Sequence, residues 1–338
     1  MSSSTTIGLK LKHPQMVYYS GQHIEGTVTI KLKEQNQAID LIIRFVGKSS
    51  CRYPHKSTHG PNIEMENEHT LVEHGKIVSS PAPGKHDMDF QFDVPNDIPG
   101  SVDLEFGSIF YELIAKYGDS IVSRPVTVVA LNNCKETNIA NIEATDECFP
   151  NELMSREANV EKDKAIQNDK SSTSTIGCQS VVNSCFGMVK GNVGANMHLT
   201  RGSHSPGEGI VVVVDAYNNL NVNTQKLRLS LVQTIKYVTN KHTKITTTTV
   251  ASVSGPKVQK NGGSVRWQSD PLRIPFVAPT TRDEVISVEY NVRLKIIVNL
   301  CSGVELIHPV VISGIRNWNV IGGRRGLRKQ LQTVEMRF

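Results

Sequence analysis

Apolar and polar residues alternate with a period of two through most of this 338-residue chain. Across positions 24–33, Ile24, Gly26, Val28, Ile30 and Leu32 share one face, and Glu25, Thr27, Thr29, Lys31 and Lys33 share the other. Side chains alternate across a pleated sheet, so this pattern predicts a half-buried strand. Positions 87–94 and 288–298 read the same way. Further strands are expected near 7–12, 39–48, 69–79, 107–117, 121–131, 195–200, 209–217, 225–237, 242–253, 264–269 and 304–313. Turn residues punctuate them at Ser20-Gly21, Pro95-Asn96-Asp97, Tyr117-Gly118-Asp119, Ser205-Pro206-Gly207 and Asn261-Gly262-Gly263. Many short strands with little helical periodicity predict an all-β chain of antiparallel, immunoglobulin-like sandwiches.

The alternation fails between about 132 and 174, where Asn, Glu, Asp, Lys and Ser dominate and the run ends in Ser171-Ser-Thr-Ser-Thr. This stretch reads as a polar linker, with Asn151 placed to cap one short helix over 152–165. The halves on either side repeat one another. Tyr19-Ser-Gly21-Gln-His-Ile24 is answered by Ser205-Pro-Gly207-Glu-Gly-Ile210, the central Tyr111 by Tyr290, and the closing Pro125-Val by Pro309-Val. Gly21 to Pro125 is 104 positions and Gly207 to Pro309 is 102, so two units of one topology are expected. The expected organisation is an N-terminal sandwich over 7–131, a linker over 132–174, a C-terminal sandwich over 175–315 and a basic tail over 316–338. The two sandwiches are expected to be independent bodies.

Composition narrows the function. Hydrophobic residues make up 38% of the chain and charged residues 20%, as in globular proteins. The longest aliphatic runs, 210–214 and 296–298, fall far short of the ~18 residues that span a bilayer. The N-terminus has neither a basic segment nor an apolar one, and no Asn-x-Ser/Thr sequon occurs, so a chain that is not secreted is expected. The formal net charge of +5 is too mild to imply nucleic acid as a partner. Six cysteines scattered without C-x-x-C spacing fit reduced thiols in the cytosol.

Candidate chemistry is sparse. His55, His59, His69, His74 and His86 fall within one region, but Pro54, Gly60 and Pro61 oppose the helix that would align His55 with His59, so solvated histidines in a hairpin loop are expected. Cys178 and Cys185, with His198 and His204 downstream, match no zinc-module spacing. There is no G-x-S-x-G elbow, no P-loop and no dinucleotide fingerprint. The expectation is a binding module with no catalytic residues, no metal and no cofactor.

Several repeated segments have a more specific look. Val17-Tyr-Tyr-Ser-Gly21-Gln-His-Ile-Glu-Gly26-Thr-Val resembles the opening strand pair of an arrestin N-domain, and Leu41-Ile-Ile-Arg44-Phe-Val-Gly47 its third strand. Asp97-Ile-Pro99-Gly-Ser-Val followed by Phe106-Gly107-Ser-Ile-Phe-Tyr111 is similar to the family's "lP-S-(F/V)-x-x-x-x-G-x-I-x-Y", and Ser123-Arg-Pro125-Val-Thr-Val to the strand closing that domain. Ser205-Pro-Gly207-Glu208-Gly-Ile210, Val288-Glu289-Tyr290-Asn-Val-Arg-Leu and Pro309-Val-Val-Ile resemble the arrestin C-domain. Within the arrestins, the chain most resembles the arrestin-domain-containing proteins, the α-arrestins.

The resemblance implies a cytoplasmic, non-enzymatic adaptor that binds cytoplasmic tails of membrane proteins for sorting, endocytosis or ubiquitin-linked down-regulation. The alternative within the same fold is a retromer-like coat subunit in endosomal transport. The family's Pro-Pro-x-Tyr ligase motif is missing, since none of the 15 prolines adjoins another, and a ubiquitin ligase or coat component would need another attachment. The resemblance also places cargo on the first strand, where Lys10 and Lys12 leave one face and Arg44 and Arg52 are expected to join the same patch. The tail carries Arg316, Arg324, Arg325, Arg328, Lys329 and Arg337 against Glu335 alone. A polybasic segment is attracted to an anionic leaflet, which makes Arg324, Arg325, Arg328 and Lys329 the expected membrane contact.

Overall fold

A computed structural model describes residues 6–32, 40–55, 63–78, 83–131, 174–183, 190–298 and 301–314. Among them there are strands and no helix. The N-terminal half is built from β1 (Thr6–Leu11), β2 (Val17–Tyr19), β3 (His23–Leu32), β4 (Leu41–His55), β5 (Ile63–Val78), β6 (Gly84–Asp93), β7 (Val102–Leu104), β8 (Gly107–Tyr117) and β9 (Ser120–Val129). One sheet runs β1-β3-β6 and the other β2-β9-β8-β4-β5, with β7 beside β8. Ile24, Val28, Ile30, Phe90 and Phe92 of the first sheet and Ile43, Phe45, Ile109, Tyr111 and Leu113 of the second are buried, so the alternating pattern has become the inside of a sandwich.

The C-terminal half contains β10 (Ser174–Asn183), β11 (Lys190–Leu199), β12 (Ser203–His204), β13 (Gly209–Ile210), β14 (Val212–Asn218), β15 (Lys226–Val238), β16 (Thr243–Lys257), β17 (Gly263–Gln268), β18 (Leu272–Arg273), β19 (Thr281–Arg282), β20 (Ile286–Val298) and β21 (Cys301–Ile312). Its sheets run β10-β11-β14-β17 and β12-β21-β20-β15-β16, with β19 beside β20 and a short β13-β18 pair. Burial alternates residue by residue along β20, as its sequence requires.

The repeat is physical. Gly21 and Gly207 both take left-handed φ, 83° and 89°, and each donates its N–H over 2.8 Å, to Val94 O and Ile274 O respectively. Alanine in that backbone region is strained, so glycine stands at both turns. Tyr111 and Tyr290 each donate a hydroxyl to the carbonyl twelve residues upstream, Pro99 at 2.6 Å and Ala278 at 2.5 Å. In both halves a short strand entering the turn pairs in parallel with the last strand, β2 with β9 and β12 with β21. Each long hairpin carries an extra residue in its second strand at a matching place, and the second hairpin has a further register shift between Lys226 and Arg228. Leu71 is skipped between Val72↔Gly47 and Thr70↔Lys48, and Val250 between Ala251↔Leu231 and Thr249↔Val232.

Because the two tyrosine–carbonyl bonds are equivalent, Tyr111→Phe and Tyr290→Phe should both destabilise, Tyr290→Phe the more, since its hydroxyl also accepts from Gln233 Nε2 at 2.6 Å. Each leaves a carbonyl without its hydroxyl partner, worth about 1–3 kcal/mol. Thermal unfolding of the two variants checks this, and a loss confined to one of them would break the equivalence.

Three expectations need correction or placing. The sandwiches are not independent, since one apolar cluster includes Phe45 and Tyr111 from the first half and Tyr237, Ile286 and Tyr290 from the second. β10 was not expected. Its alternation is weak, with Ile176, Cys178 and Val182 at one parity and Ser180 breaking the run, and it pairs with β11 along the whole strand. The helix expected over 152–165 lies outside the described residues.

Candidate functional site

Lys10 and Lys12 flank the last residue of β1, which is an edge strand of its sheet. Both side chains leave the outer face, because Leu9 is buried and Leu11 half-buried between them. The Lys12 ammonium meets Glu25 at 2.7 Å, and this contact raises the lysine pKa and lowers that of the carboxylate. Lys10 lies opposite Thr27, and no ion pair engages it among the described residues. Farther across the same face Thr27 and Thr29 donate to Asp89 and Asp87, and His23 meets Asp93 at 2.6 Å. The face thus grades from cationic at the β1 edge to acidic at β6.

Arg44 and Arg52 are elsewhere. They stand on the outer face of β4, in the opposite sheet, so they do not extend the lysine patch. Each is matched by a glutamate of β5. Arg44 pairs with Glu73 at 3.1 Å, Lys48 with Glu68 at 2.7 Å, and Arg52 with Glu64. Three cross-strand pairs of opposite charge form a ladder that fixes the β4–β5 register. The sequence offered no way to see this, because Glu64, Glu68 and Glu73 fell in or near a region read as loop.

That region is in fact the end of a hairpin that meets the other sandwich. The Tyr53 hydroxyl donates to His242 O at 2.8 Å, and Asn67 Nδ2 donates to Val238 O at 3.1 Å. Phe106 packs edge-on to Tyr237, with ring centroids 5.6 Å apart, and the Lys244 ammonium sits 4.1 Å from the Phe106 ring centroid. An ammonium over an aromatic face is attracted by the ring quadrupole. Cys51, buried here, is a free thiol, and burial pushes its pKa up. A raised pKa keeps it a thiol rather than the reactive thiolate.

The histidines take up separate positions along this seam. His55 stacks on His242 at 4.1 Å, and His69 Nδ1 reaches Asp283 at 3.3 Å. The Asp283 side chain is only 4% exposed. Burial pushes its carboxyl upward, but the neighbouring Ser49 hydroxyl, the Val285 N–H, His69 and the Glu284 N–H outweigh that and hold it below the ordinary range. His69, His74, Asp97, Arg282, Asp283 and Glu284 line an open cleft of about 480 Å³. His86 lies on β6, and His59 lies outside the described residues. Among the described residues of the group, His55 and His69 contact the other half directly and His74 lines the cleft between the halves. Among the described residues no three His, Cys, Asp or Glu side chains converge as metal ligands would.

In the second half His198 meets Asp215 at 3.2 Å, and Arg266 meets the same carboxylate at 3.5 Å. His204 and His308 are buried in the sandwich, and burial lowers the pKa of both. Cys185 and the basic residues Arg324, Arg325, Arg328 and Lys329 lie outside the described residues. Cys178 falls on β10.

Comparison with known proteins gives two adjoining matches. The model described as "Arrestin (or S-antigen), N-terminal domain" covers residues 7–146, and "Arrestin (or S-antigen), C-terminal domain" covers residues 189–317. The chain is similar to arrestin domain-containing protein 17 of Caenorhabditis elegans, 24% identical over 310 residues, spanning 84% of this chain and 65% of that protein. It is 24% identical over 243 residues to arrestin domain-containing protein 4 of Mus musculus, spanning 71% of this chain and 52% of that one. It is 20% identical over 337 residues to thioredoxin-interacting protein of Rattus norvegicus, spanning 96% and 75% respectively. The chain thus spans less than two thirds of the length of the first two relatives.

Proposed function

The chain belongs to the arrestin family, a family of adaptors, and on that premise we propose that it is a cytoplasmic, non-enzymatic adaptor for cytoplasmic segments of membrane proteins. The observation that carries this reading is the β1 edge, which offers unpaired backbone groups beside two lysines. An extended peptide adds to such an edge as a further strand, its backbone supplying affinity and its side chains selectivity. Lys10 meets an acidic group directly, whereas at Lys12 the incoming group displaces Glu25. A phosphate, with about −1.5 to −2 charges, competes with a carboxylate better than another carboxylate does. The preferred cargo is therefore an extended acidic segment, and a phosphorylated one above all.

Arg44 and Arg52 contribute to a second acceptor only where an incoming anion displaces Glu73 or Glu64. The basic residues Arg324, Arg325, Arg328 and Lys329 assist by holding the adaptor at an anionic membrane surface, at the plasma membrane or on endosomes. Sorting, endocytosis and down-regulation through a ubiquitin ligase are the tasks this arrangement suits. Stable co-purification with a larger coat assembly would instead favour the retromer-like reading.

Reversing both lysines tests the proposal. Lys10→Glu with Lys12→Glu should weaken binding of a phosphorylated acidic peptide and flatten its salt dependence while the unfolding midpoint stays close to that of the parent. Unchanged affinity at low salt would remove the β1 edge from the site.

A further inference from the structure

We propose that β16 is a self-association edge, through which two copies of this chain pair strand to strand and antiparallel about a two-fold axis. β16 closes one side of the sheet β12-β21-β20-β15-β16 and pairs with β15 alone among the described strands. Its outward N–H and C=O groups are the kind of unpaired row that recruits another strand.

Proteins usually guard such an edge with charge, and the long edges of the N-terminal half are guarded. β1 is flanked by Lys10 and Lys12, β5 carries Glu64, Glu66, Glu68 and Glu73, and β6 carries Asp87, Asp89 and Asp93. From Ile245 to Gly255 β16 has no ionisable residue. Ile245, at 58% exposure, and Thr247, Thr248 and Thr249 all face solvent. The nearest charge is drawn aside, because the Lys244 ammonium is held over the Phe106 ring.

The extra residue at Val250 ends the regular part of the strand, since a bulge bends the edge and disrupts a ladder. The stretch free to pair is therefore 243–249, which is ordinary strand length. Centred on Thr247, pairing covers 245–249 and sets Thr247 against its own copy and Ile245 against Thr249. Every contact in that core is β-branched, the side-chain type that packs best between strands.

Charge complementarity identifies the occupant. Self-pairing at β5 would oppose glutamates and at β6 aspartates, whereas at β16 it opposes nothing. The edge has no charge with which to select a foreign sequence. A second copy presents the same uncharged edge, as a two-fold, isologous interface requires.

The test uses the full chain. Sedimentation from about 1 to about 100 µM, the range that reports a weak dimer, should show a concentration-dependent shift from monomer to dimer. Thr247→Lys with Thr249→Lys should stay monomeric and unfold at the parent's temperature. Mixed with Thr247→Glu and Thr249→Glu chains, it should recover the dimer mass, a rescue only a contact between these edges gives. Hydrogen exchange of the parent should show amides at 245–249 protected at high concentration and not at low, which reads the interface even where a variant folds badly. A monomer throughout, as a foreign peptide at this edge would leave, overturns the proposal. So does a dimer that survives the lysine variant with no change in protection at 245–249.

Discussion

Valine at Gly107 is expected to part the two sandwiches. A Cβ there would lie 2.5 Å from Ser50 O, 3.0 Å from Cys51 Cα and 2.9 Å from Ile286 Cδ1. Two of the three are backbone atoms of β4 and cannot step aside. The third is the end of a side chain of the other sandwich, so the fixed clash with β4 pushes β4 and β8 apart where they meet the seam, and the displaced strands no longer fit against β20. Overpacking of this kind costs about 1–3 kcal/mol, and separation would add the loss of Phe106 against Tyr237 and of the Tyr53 and Asn67 bonds. The parent should unfold in one cooperative transition, because a single apolar cluster joins the halves. Gly107→Val should unfold in two, the first at lower temperature. One transition at the parent's midpoint would show that the seam tolerates the side chain.

The second large effect is one of pH. His204 and His308 are both buried, and burial lowers both pKa values. At His204 the Arg201 charge lowers it further, while the Arg201 carbonyl and Glu208 oppose the shift; at His308 the Pro309 carbonyl opposes it. A histidine depressed in the folded state binds fewer protons there than in the unfolded chain. Stability from this source is complete above the unfolded value of about 6.5 and declines as pH falls below it. Asp283 acts in the same direction but in a lower window, because its lowered pKa contributes stability that fails only under stronger acid. The single unfolding transition of the chain should therefore move to lower temperature between about pH 7 and 5. His308→Gln with His204→Gln should flatten that slope even if it lowers the midpoint at neutral pH. An unchanged slope would place the sensitivity elsewhere.

The sheets were legible where one strand face is buried and the other wet. β3, β6, β8 and β20 carry alternation that survives in the structure, and β20 follows it without a break. Legibility failed where a strand's partners are not provided by its own sandwich. The far end of β4 and the start of β5 look polar and loop-like because they extend towards the second sandwich. Tyr53 is buried there with its hydroxyl on His242 O, nearly two hundred positions away. The strands β2, β7, β12, β13, β18 and β19 are two or three residues long, too short for any period to show.

The candidate site divides along the same line. Lys10 and Lys12 could be assigned to one face because period two holds within a strand. Adding Arg44 and Arg52 required knowing which sheet β4 joins, and nothing local encodes that. Nothing local marks Asp283, or His242 at the start of the strand expected near 242–253, as a partner of the first half. Their partners His69 and His55 were noticed as a group, but the reason for the grouping lay in the other half of the chain.

The seam also has a temporal side. Every strand of the N-terminal sandwich has been synthesised by Val129, whereas β21, which lies between β12 and β20 in its sheet, is complete only at Ile312. At about 5–20 residues per second the ribosome needs roughly 10–40 s to add the intervening residues. During that interval the first sandwich can close, but Tyr53 and Phe106 lack their partners His242 and Tyr237. A nascent chain of this protein therefore presents an apolar patch that the finished molecule conceals, and chaperones have that window in which to bind it.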